Sequence, residues 1–183
     1  MENLHALHDE VGSRSATSTI AIVGAGLAGL CMGIQLKKAG IHSFTIYEKS
    51  SKVGGTWYDN TYPGAGCDVP SHLYCFSFEP NPEWSHKYSE QPEIYRYLEH
   101  CIDKYGLLPH IHFGAEITGA RFDESHSVWW IRTSNGQEVV ANVLVSGCGQ
   151  LNRPFVPDLP GLERFEARSS IPHAGGAISI KAA

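Results

Sequence analysis

Residues 20–30 read IAIVGAGLAGL, and this stretch decides the fold. A β-branched run enters a cluster of glycines, and an apolar run with helical spacing leaves it. Residues 20–36 carry no charge, which raises the alternative of a membrane span. About seventeen residues is the lower limit for a span, and four glycines interrupt this one. We therefore interpret the stretch as a strand, a turn and a helix that Gly40 ends.

The glycines Gly24, Gly26 and Gly29 have the spacing GxGxxG, which is typical of a dinucleotide-binding turn. Gly24 permits a tight exit from the strand, Gly26 lets a diphosphate approach the main chain, and Gly29 lets the helix lie close to the strand. The N-terminus of that helix offers unpaired N–H groups and a positive dipole end to phosphates. The motif alone is a weak signal, because glycine-rich turns are common.

A second apolar strand, SFTIYEK at residues 43–49, ends at Glu48. A carboxylate about twenty residues after the glycines, at the carboxyl end of a strand, accepts hydrogen bonds from ribose hydroxyls in dinucleotide sites. It also repels a 2′-phosphate, so this site is not expected to favour NADPH. The alternative for Glu48 is a solvated charge after a strand. These residues leave NAD and FAD open as the ligand.

The next stretch, EKSSKVGGTWYDNTYPGAGCDVPSHLYCFSF at residues 48–78, is rich in Gly, Pro, Trp and Tyr. This composition predicts a long ordered loop rather than a helix, and such loops tend to be functional. The stretch resembles the class B flavoprotein monooxygenases, and among them most of all the Baeyer–Villiger monooxygenases. Residues 77–107 and GCGQLNRPFVPDLPGLERF at 147–165 continue the resemblance, which covers 19 to about 166.

The resemblance implies FAD as the cofactor and assigns positions to it. In that family the GGTW segment wraps the flavin, which implies contacts from Gly55, Thr56 and Trp57, with Tyr58 and Asp59 just beyond. Other family segments run beside the flavin ring, at the nicotinamide cofactor, at the adenine and in a second glycine turn. The matching positions are Asp68 and Val69 beside the ring, Tyr74 near FAD, Gly66, Cys67 and Asp68 at the nicotinamide cofactor, Ile117 at the adenine, and Gly147 and Gly149 in the turn.

Asp68 is the candidate catalytic residue. Its sequence neighbourhood is apolar and aromatic, where a carboxylate needs a charged or hydrogen-bonding partner or its pKa rises. The alternative is an aspartate that forms a turn by capping its own backbone. The spacing alone does not separate these interpretations, and the resemblance favours the active-site role.

The middle of the chain predicts scaffold. SEQPEIYRYLEHCIDKYG at residues 89–106 predicts an amphipathic helix with Ser89 as N-cap, Pro92 in the first turn and Gly106 at the end. Its apolar face consists of Ile94, Leu98, Cys101 and Ile102. Asn135-Gly136 lies between two apolar runs and predicts a β-hairpin. NVLVSGCG at 142–149 then predicts a buried strand of the main sheet.

Composition excludes several functions. The chain of 183 residues has 14 basic and 19 acidic residues and a net charge of −5, which argues against a nucleic-acid surface. Five cysteines without a CxxC pair argue against disulfides and zinc, and we predict no metal site. The polar start does not resemble a signal peptide. We therefore expect a cytoplasmic protein with no membrane partner, in which residues 1–18 form a disordered tail.

The C-terminal end departs from the family pattern. The family continues with FxGxxxHxxxW, whereas Ala167 and Ile171 stand where the glycine and the histidine belong. We therefore expect residues 167–183 to be a divergent, disordered tail. Relatives continue well beyond this point with a second, NADPH-binding domain, so we do not expect this chain by itself to bind NADPH.

The sequence thus predicts an α/β fold, a Rossmann-like three-layer FAD-binding domain at 19–166 with a small β-hairpin insertion, truncated relative to the family. The resemblance implies NADPH- and O₂-dependent insertion of oxygen into a small-molecule ketone. One interpretation is a monooxygenase portion that works with a separate chain carrying the NADPH domain. The alternatives are a non-catalytic flavin-binding remnant and, less favoured, a plain NAD-binding module.

Overall fold

The computed structural model of the chain describes residues 18–151, 158–161, 169–173 and 176–180. Its centre is a parallel sheet of four short strands. These strands are β1 Ile20–Val23, β2 Phe44–Tyr47, β3 Ile111–His112 and β7 Val143–Ser146. The order across the sheet is β3-β2-β1-β7. The chain therefore leaves β1 on one side to reach β2 and returns to the other side of β1 with β7, which makes a switch point at β1.

Helix α1, Leu27–Lys38, connects β1 to β2. Its buried side is made of glycines and aliphatic residues: Gly29, Leu30, Gly33 and Ile34. Ala39 is the C-cap of the helix, and Gly40 follows it with a φ of +75°. This confirms the prediction that the helix ends at Gly40.

The predicted loop at residues 48–78 contains two short helical segments, so the prediction of no helix there was wrong. Helix α2, Thr56–Asp59, is a single turn, and a 3₁₀ turn spans Ser71–Leu73. Gly54 and Gly55 precede α2 with positive φ angles of 118° and 53°, which favour glycine. A helix of a single turn leaves no helical periodicity for a sequence pattern to reveal.

Helix α3, Gln91–Tyr105, has Pro92 in its first turn and ends at Gly106 in the left-handed conformation, as predicted. The predicted N-cap was wrong. Glu90 occupies the N-cap position without a side-chain hydrogen bond, and Ser89 is buried with its Oγ 2.7 Å from Ser71 Oγ. The Ser89 hydroxyl thus joins α3 to the 3₁₀ turn, a contact 18 residues away in sequence.

The predicted hairpin forms, with Gly136 at a φ of +81°, and it belongs to a larger sheet than expected. Its strands are β5 Val128–Thr133 and β6 Glu138–Ala141, paired antiparallel. A third strand, β4 Ile117–Asp123, pairs with β5 and was not predicted. None of its residues is fully buried, and residues 120–122 are exposed one after another, so the strand carries no period-two signal.

Two hydrophobic cores separate the layers. Ile22 of β1 packs in the larger core with Leu30 of α1 and Leu98 of α3, all fully buried. Ala21, its neighbour in β1, packs in a smaller core with Ile131 of β5. Because neighbouring strand residues face opposite sides, helices cover one face of the parallel sheet and the antiparallel sheet covers the other. This arrangement confirms the predicted three-layer Rossmann-like fold, and each buried Leu or Ile stabilises it by about 1.5–3 kcal/mol.

Near the C-terminus, β8 Ser169–His173 and β9 Gly176–Ile180 pair antiparallel. This pairing differs from the disordered tail predicted for 167–183, whose other residues lie outside the described ones. The predicted tail at 1–18 also lies outside them, apart from residue 18. In the described part of the chain, no helix is both long and apolar enough for a bilayer crossing.

Candidate functional site

A cavity of about 580 Å³ opens at the carboxyl ends of β1 and β2, beside the switch point of the sheet. Open α/β sheets bind ligands at this position, and the volume is typical of a small-molecule site. Most of the predicted cofactor residues line it. They are Gly24, Gly26, Glu48, Gly55, Thr56, Trp57, Asp59, Tyr74 and Ile117, together with Gly147 and Gly149.

The three glycines of the turn differ in what a side chain would meet at each position. A Cβ on Gly29 would lie 1.8 Å from Gly24 O, so the helix meets the strand only without a side chain there. A Cβ on Gly24 would lie 2.8 Å from Gly147 O, which joins the first glycine turn to the end of β7. A Cβ on Gly26 would meet only Gly55 Cα, at 3.7 Å. Gly26 thus leaves its main chain open to the cavity.

The start of α1 supplies unpaired donors to this open surface. The first helical hydrogen bond runs from Leu30 N–H to Gly26 O. The N–H groups of Gly26, Leu27 and Ala28 donate to no described residue, and all three residues line the cavity. Unpaired N–H groups at the positive end of a helix dipole bind phosphate well.

Glu48 is buried at 4 % exposure at the end of β2. Its Oε2 accepts the Ala25 N–H at 2.7 Å, and its Oε1 accepts the Ser50 N–H at 2.9 Å. The alternative of a solvated charge is therefore wrong, because the carboxylate is buried and accepts a hydrogen bond from the glycine turn. Each oxygen still has a lone pair for a further donor, so a ribose contact remains a prediction.

The GGTW segment is held against the glycine turn and the loop beyond it. Gly54 N–H donates to Ala25 O at 2.9 Å. Trp57 is 8 % exposed, and its Nε1 donates to Tyr74 OH at 3.0 Å. The Gln91 side-chain amide at the start of α3 donates to Trp57 O. Burial raises the pKa of the Tyr74 phenol above its usual 10, so this hydroxyl stays protonated at neutral pH.

One cationic side chain lines the cavity among the described residues. Lys49 Nζ lies 3.9 Å from Asp59 Oδ2, which is a loose ion pair between the end of β2 and the end of α2. Asp59 is 9 % exposed. Glu48 and Glu116 add two carboxylates to the lining, so the described walls carry more negative than positive charge.

The remaining predicted residues lie outside the lining. Gly29 forms the helix–strand contact beneath the cavity. Tyr58 packs on Tyr95 with ring centroids 6.2 Å apart. Four further residues follow α2 in the chain and are not part of the cavity: Gly66, Cys67, Asp68 and Val69.

Asp68 differs most from its expected surroundings. Its side chain is exposed rather than buried among apolar and aromatic groups, because residues 61–64, 66 and 68–69 lie on the surface. No described residue forms a hydrogen bond with its carboxylate, so the expected backbone cap is also absent from the described part of the chain. The catalytic role of Asp68 stays a prediction.

Several cavity residues were not predicted. They are Val23, Leu27, Ala28, Tyr47, Lys49, Gly54, Glu116 and Cys148. All of them are sequence neighbours of predicted residues, so widening each motif by one or two positions would have found them.

The fold and the turn define a dinucleotide-binding protein, and comparison with known proteins supports this. A family model described as an NAD(P)-binding Rossmann-like domain matches residues 22–99. A Baeyer–Villiger monooxygenase of Streptomyces coelicolor is 46 % identical over 149 residues, which are 81 % of this chain and 28 % of the relative. A Baeyer–Villiger monooxygenase of Pseudomonas aeruginosa matches with the same identity and shares.

Solved structures agree. An oxidized steroid monooxygenase bound to NADP has a TM-score of 0.72 and 42 % identity, over 81 % of this chain and 29 % of that one. OTEMO in complex with FAD and NADP has a TM-score of 0.73 and 31 % identity, over 83 % and 29 %. Over about 81 % of its length the chain is homologous to Baeyer–Villiger monooxygenases. It spans less than a third of the length of these relatives.

Proposed function

We propose that this chain forms the FAD-binding site of a Baeyer–Villiger-type monooxygenase. The observation that carries the proposal is the open main chain at Gly26, next to three unpaired N–H groups and the buried Glu48. A diphosphate fits unpaired N–H donors at a helix N-terminus, and a ribose fits a carboxylate at the end of the second strand.

The residues present fit FAD along the whole cavity. Gly26, Leu27 and Ala28 would hold the diphosphate through their N–H groups, and Ile117 would lie at the adenine. Gly55, Thr56 and Trp57 would hold the flavin end, with Tyr74 fixing the Trp57 indole through its hydroxyl. When bound, FAD supplies the electron transfer and the reaction with O₂. The protein's part is to bind and orient the cofactor.

We further propose that the complete protein inserts oxygen into a small-molecule ketone in a reaction that uses NADPH. The family supports this reaction, and the chain spans 28 % of the curated relatives. Lys49, the cavity's cation among the described residues, is engaged by Asp59. We propose that the residues for hydride delivery and for the ketone pocket lie beyond this cavity, either in additional sequence of the same chain or in a separate subunit. Asp68, with Gly66, Cys67 and Val69, would face that part.

We further propose a reducing compartment such as the cytoplasm, in which the five free cysteines would remain thiols.

The test is a titration of the purified full chain with FAD, FMN and NAD, followed by flavin fluorescence or calorimetry. We expect binding of FAD in preference to the other two and no rapid bleaching by NADPH without further protein. Gly26→Val fills the open approach, since nothing but Gly55 Cα lies near the new Cβ. It should fold and lose at least tenfold in FAD affinity, whereas Gly119→Ala, which is not part of the cavity lining, should not.

A folded chain that takes up no FAD overturns the proposal. Binding of NAD in preference to FAD would favour the plain NAD-binding module instead. Bound FAD that stays oxidised with NADPH, even after addition of the remainder of a relative, would favour a non-catalytic flavin-binding protein.

A further inference from the structure

The main chain of Ala25, between the first two glycines of the turn, is hydrogen-bonded on both sides. Its N–H donates to Glu48 Oε2 at 2.7 Å, and its carbonyl accepts the Gly54 N–H at 2.9 Å. Ala25 is fully buried. The only side chain among these partners is that of Glu48, so the orientation of the Gly24–Ala25 peptide, which carries this N–H, depends on that carboxylate.

Glu48 is itself held firmly. Its own N–H donates to His112 O at 2.8 Å, and its carbonyl accepts the Ala115 N–H at 2.9 Å. Its second carboxylate oxygen accepts the Ser50 N–H. At 4 % exposure, the carboxylate would lose two charge-assisted hydrogen bonds in a buried site if it turned towards a ligand.

We propose that Glu48 is a positioning residue, which holds the glycine turn in its binding shape before any nucleotide arrives. This inference rests on the proposed dinucleotide site and adds a second role to the ribose contact. Because the Ala25 N–H is used by Glu48, the diphosphate is left with the N–H groups of Gly26, Leu27 and Ala28. The ribose then meets the remaining lone pairs of a carboxylate that does not move.

The nucleotide-free protein distinguishes a positioning role of Glu48 from the role of a ribose ligand. A ribose ligand matters only when nucleotide is present. A residue that holds the turn protects the Ala25 amide from hydrogen exchange in the absence of any ligand. Glu48→Gln keeps the size of the side chain but replaces one carboxylate oxygen by an NH₂ group, which cannot accept the N–H of Ala25 or Ser50. Glu48→Asp keeps the charge and falls short of the Ala25 amide by one methylene.

The experiment is amide hydrogen exchange followed by NMR on the isotope-labelled full chain without FAD. We expect the Ala25 amide to be protected in the wild type and to exchange roughly 10- to 100-fold faster in both Glu48 variants. Glu116→Gln is the matched control, since Glu116 lines the same cavity and its carboxylate bonds to no described residue. Its Ala25 exchange should equal the wild type, and the Leu98 amide in the core should be protected in every variant.

Unchanged Ala25 exchange in both Glu48 variants overturns the proposal and leaves a ribose ligand. Should both variants unfold, the wild type decides by itself. Ala25 protection that appears only after addition of FAD also overturns the proposal, and equal protection with and without FAD supports it. A protected Ala25 amide in a chain that binds no FAD would overturn the proposed function and leave the positioning role standing.

Discussion

Two segments that resemble cofactor-binding parts of the family are held in place by different means. In the glycine turn, residues 24–29, main chain packs so closely on main chain that a Cβ added at Gly29 or at Gly24 would lie 1.8 or 2.8 Å from a backbone oxygen, and the Glu48 carboxylate holds Ala25. The bridging loop, residues 60–90, is held by main-chain hydrogen bonds, such as Cys67 N–H to Ser89 O, and by side-chain contacts, such as Ser71 with Ser89 and Glu79 with Lys104. The turn lines the cavity, whereas most of the loop does not. The main-chain packing at Gly24 and Gly29 tolerates no added atom, whereas the side-chain anchors of the loop can be removed one at a time.

Gly29→Ala should cause the largest loss of stability, because its Cβ would lie 1.8 Å from Gly24 O and neither backbone can yield. We expect a loss above about 4 kcal/mol in the free energy of unfolding, measured by urea denaturation without FAD. Gly119→Ala is the control, since its Cβ would meet only the end of the Arg132 side chain at 3.5 Å. It should change stability by no more than about 0.5 kcal/mol. Equal stabilities of the two variants would contradict the close approach.

The anchor of the bridging loop at Glu79 should show itself in the pH dependence of stability. Hydrogen bonds, first from Lys104 and then from Tyr105, lower the pKa of Glu79 from 4.5 to about 2. A carboxyl with a lowered pKa in the folded state stabilises above its unfolded pKa, and this contribution is lost as the pH falls from about 4.5 to 2. Glu79→Gln should lack that loss, so its stability and that of the wild type should converge over this window.

Urea denaturation at several values between pH 7 and pH 2.5 measures this convergence. Glu124→Gln, at an exposed position, controls for the general effect of acid on the chain. A constant difference between wild type and Glu79→Gln across the window would show that the carboxylate does not anchor the loop.

The hydrogen bond from Trp57 Nε1 to Tyr74 OH connects α2, beside the glycine turn, to the bridging loop. Trp57→Phe and Tyr74→Phe each remove one end of it, and each should lower stability by about 1 kcal/mol or more. The double variant should lose less than the sum, with a coupling energy of about 1 kcal/mol. FAD affinity should fall several-fold in all three. Strict additivity in urea denaturation would mean that the bond contributes nothing.

Asp68→Asn should have the smallest effect of the series. The residue is exposed and lies outside the cavity, so the free energy of unfolding should change by less than about 0.5 kcal/mol. FAD affinity of the chain should remain within about twofold. A loss of FAD binding comparable to that of Gly26→Val would place Asp68 in the cavity and remove the contrast between turn and loop.

The sequence predicted what depends on neighbouring residues. The strand, turn and helix at 20–38, the end of α3 at Gly106 and the turn at Gly136 each follow from a glycine that the local backbone requires. Eleven of the nineteen residues that line the cavity were predicted as well, because the glycine turn and the GGTW segment line it together. The strand β4 was not predicted, since three consecutive exposed residues, 120–122, leave it without a period-two alternation.

The sequence by itself determined the parallel layer, its glycine turn and the family resemblance. Glycine positions and the spacing of apolar residues are local properties, so each can be recognised within one segment of the chain. Only the tertiary structure decided which groups meet across distance: Ser89 with Ser71 instead of a helix cap, Glu48 inside the turn, and Asp68 on the surface. A polar side chain can form hydrogen bonds with several alternative partners, and the packing of distant segments selects among them.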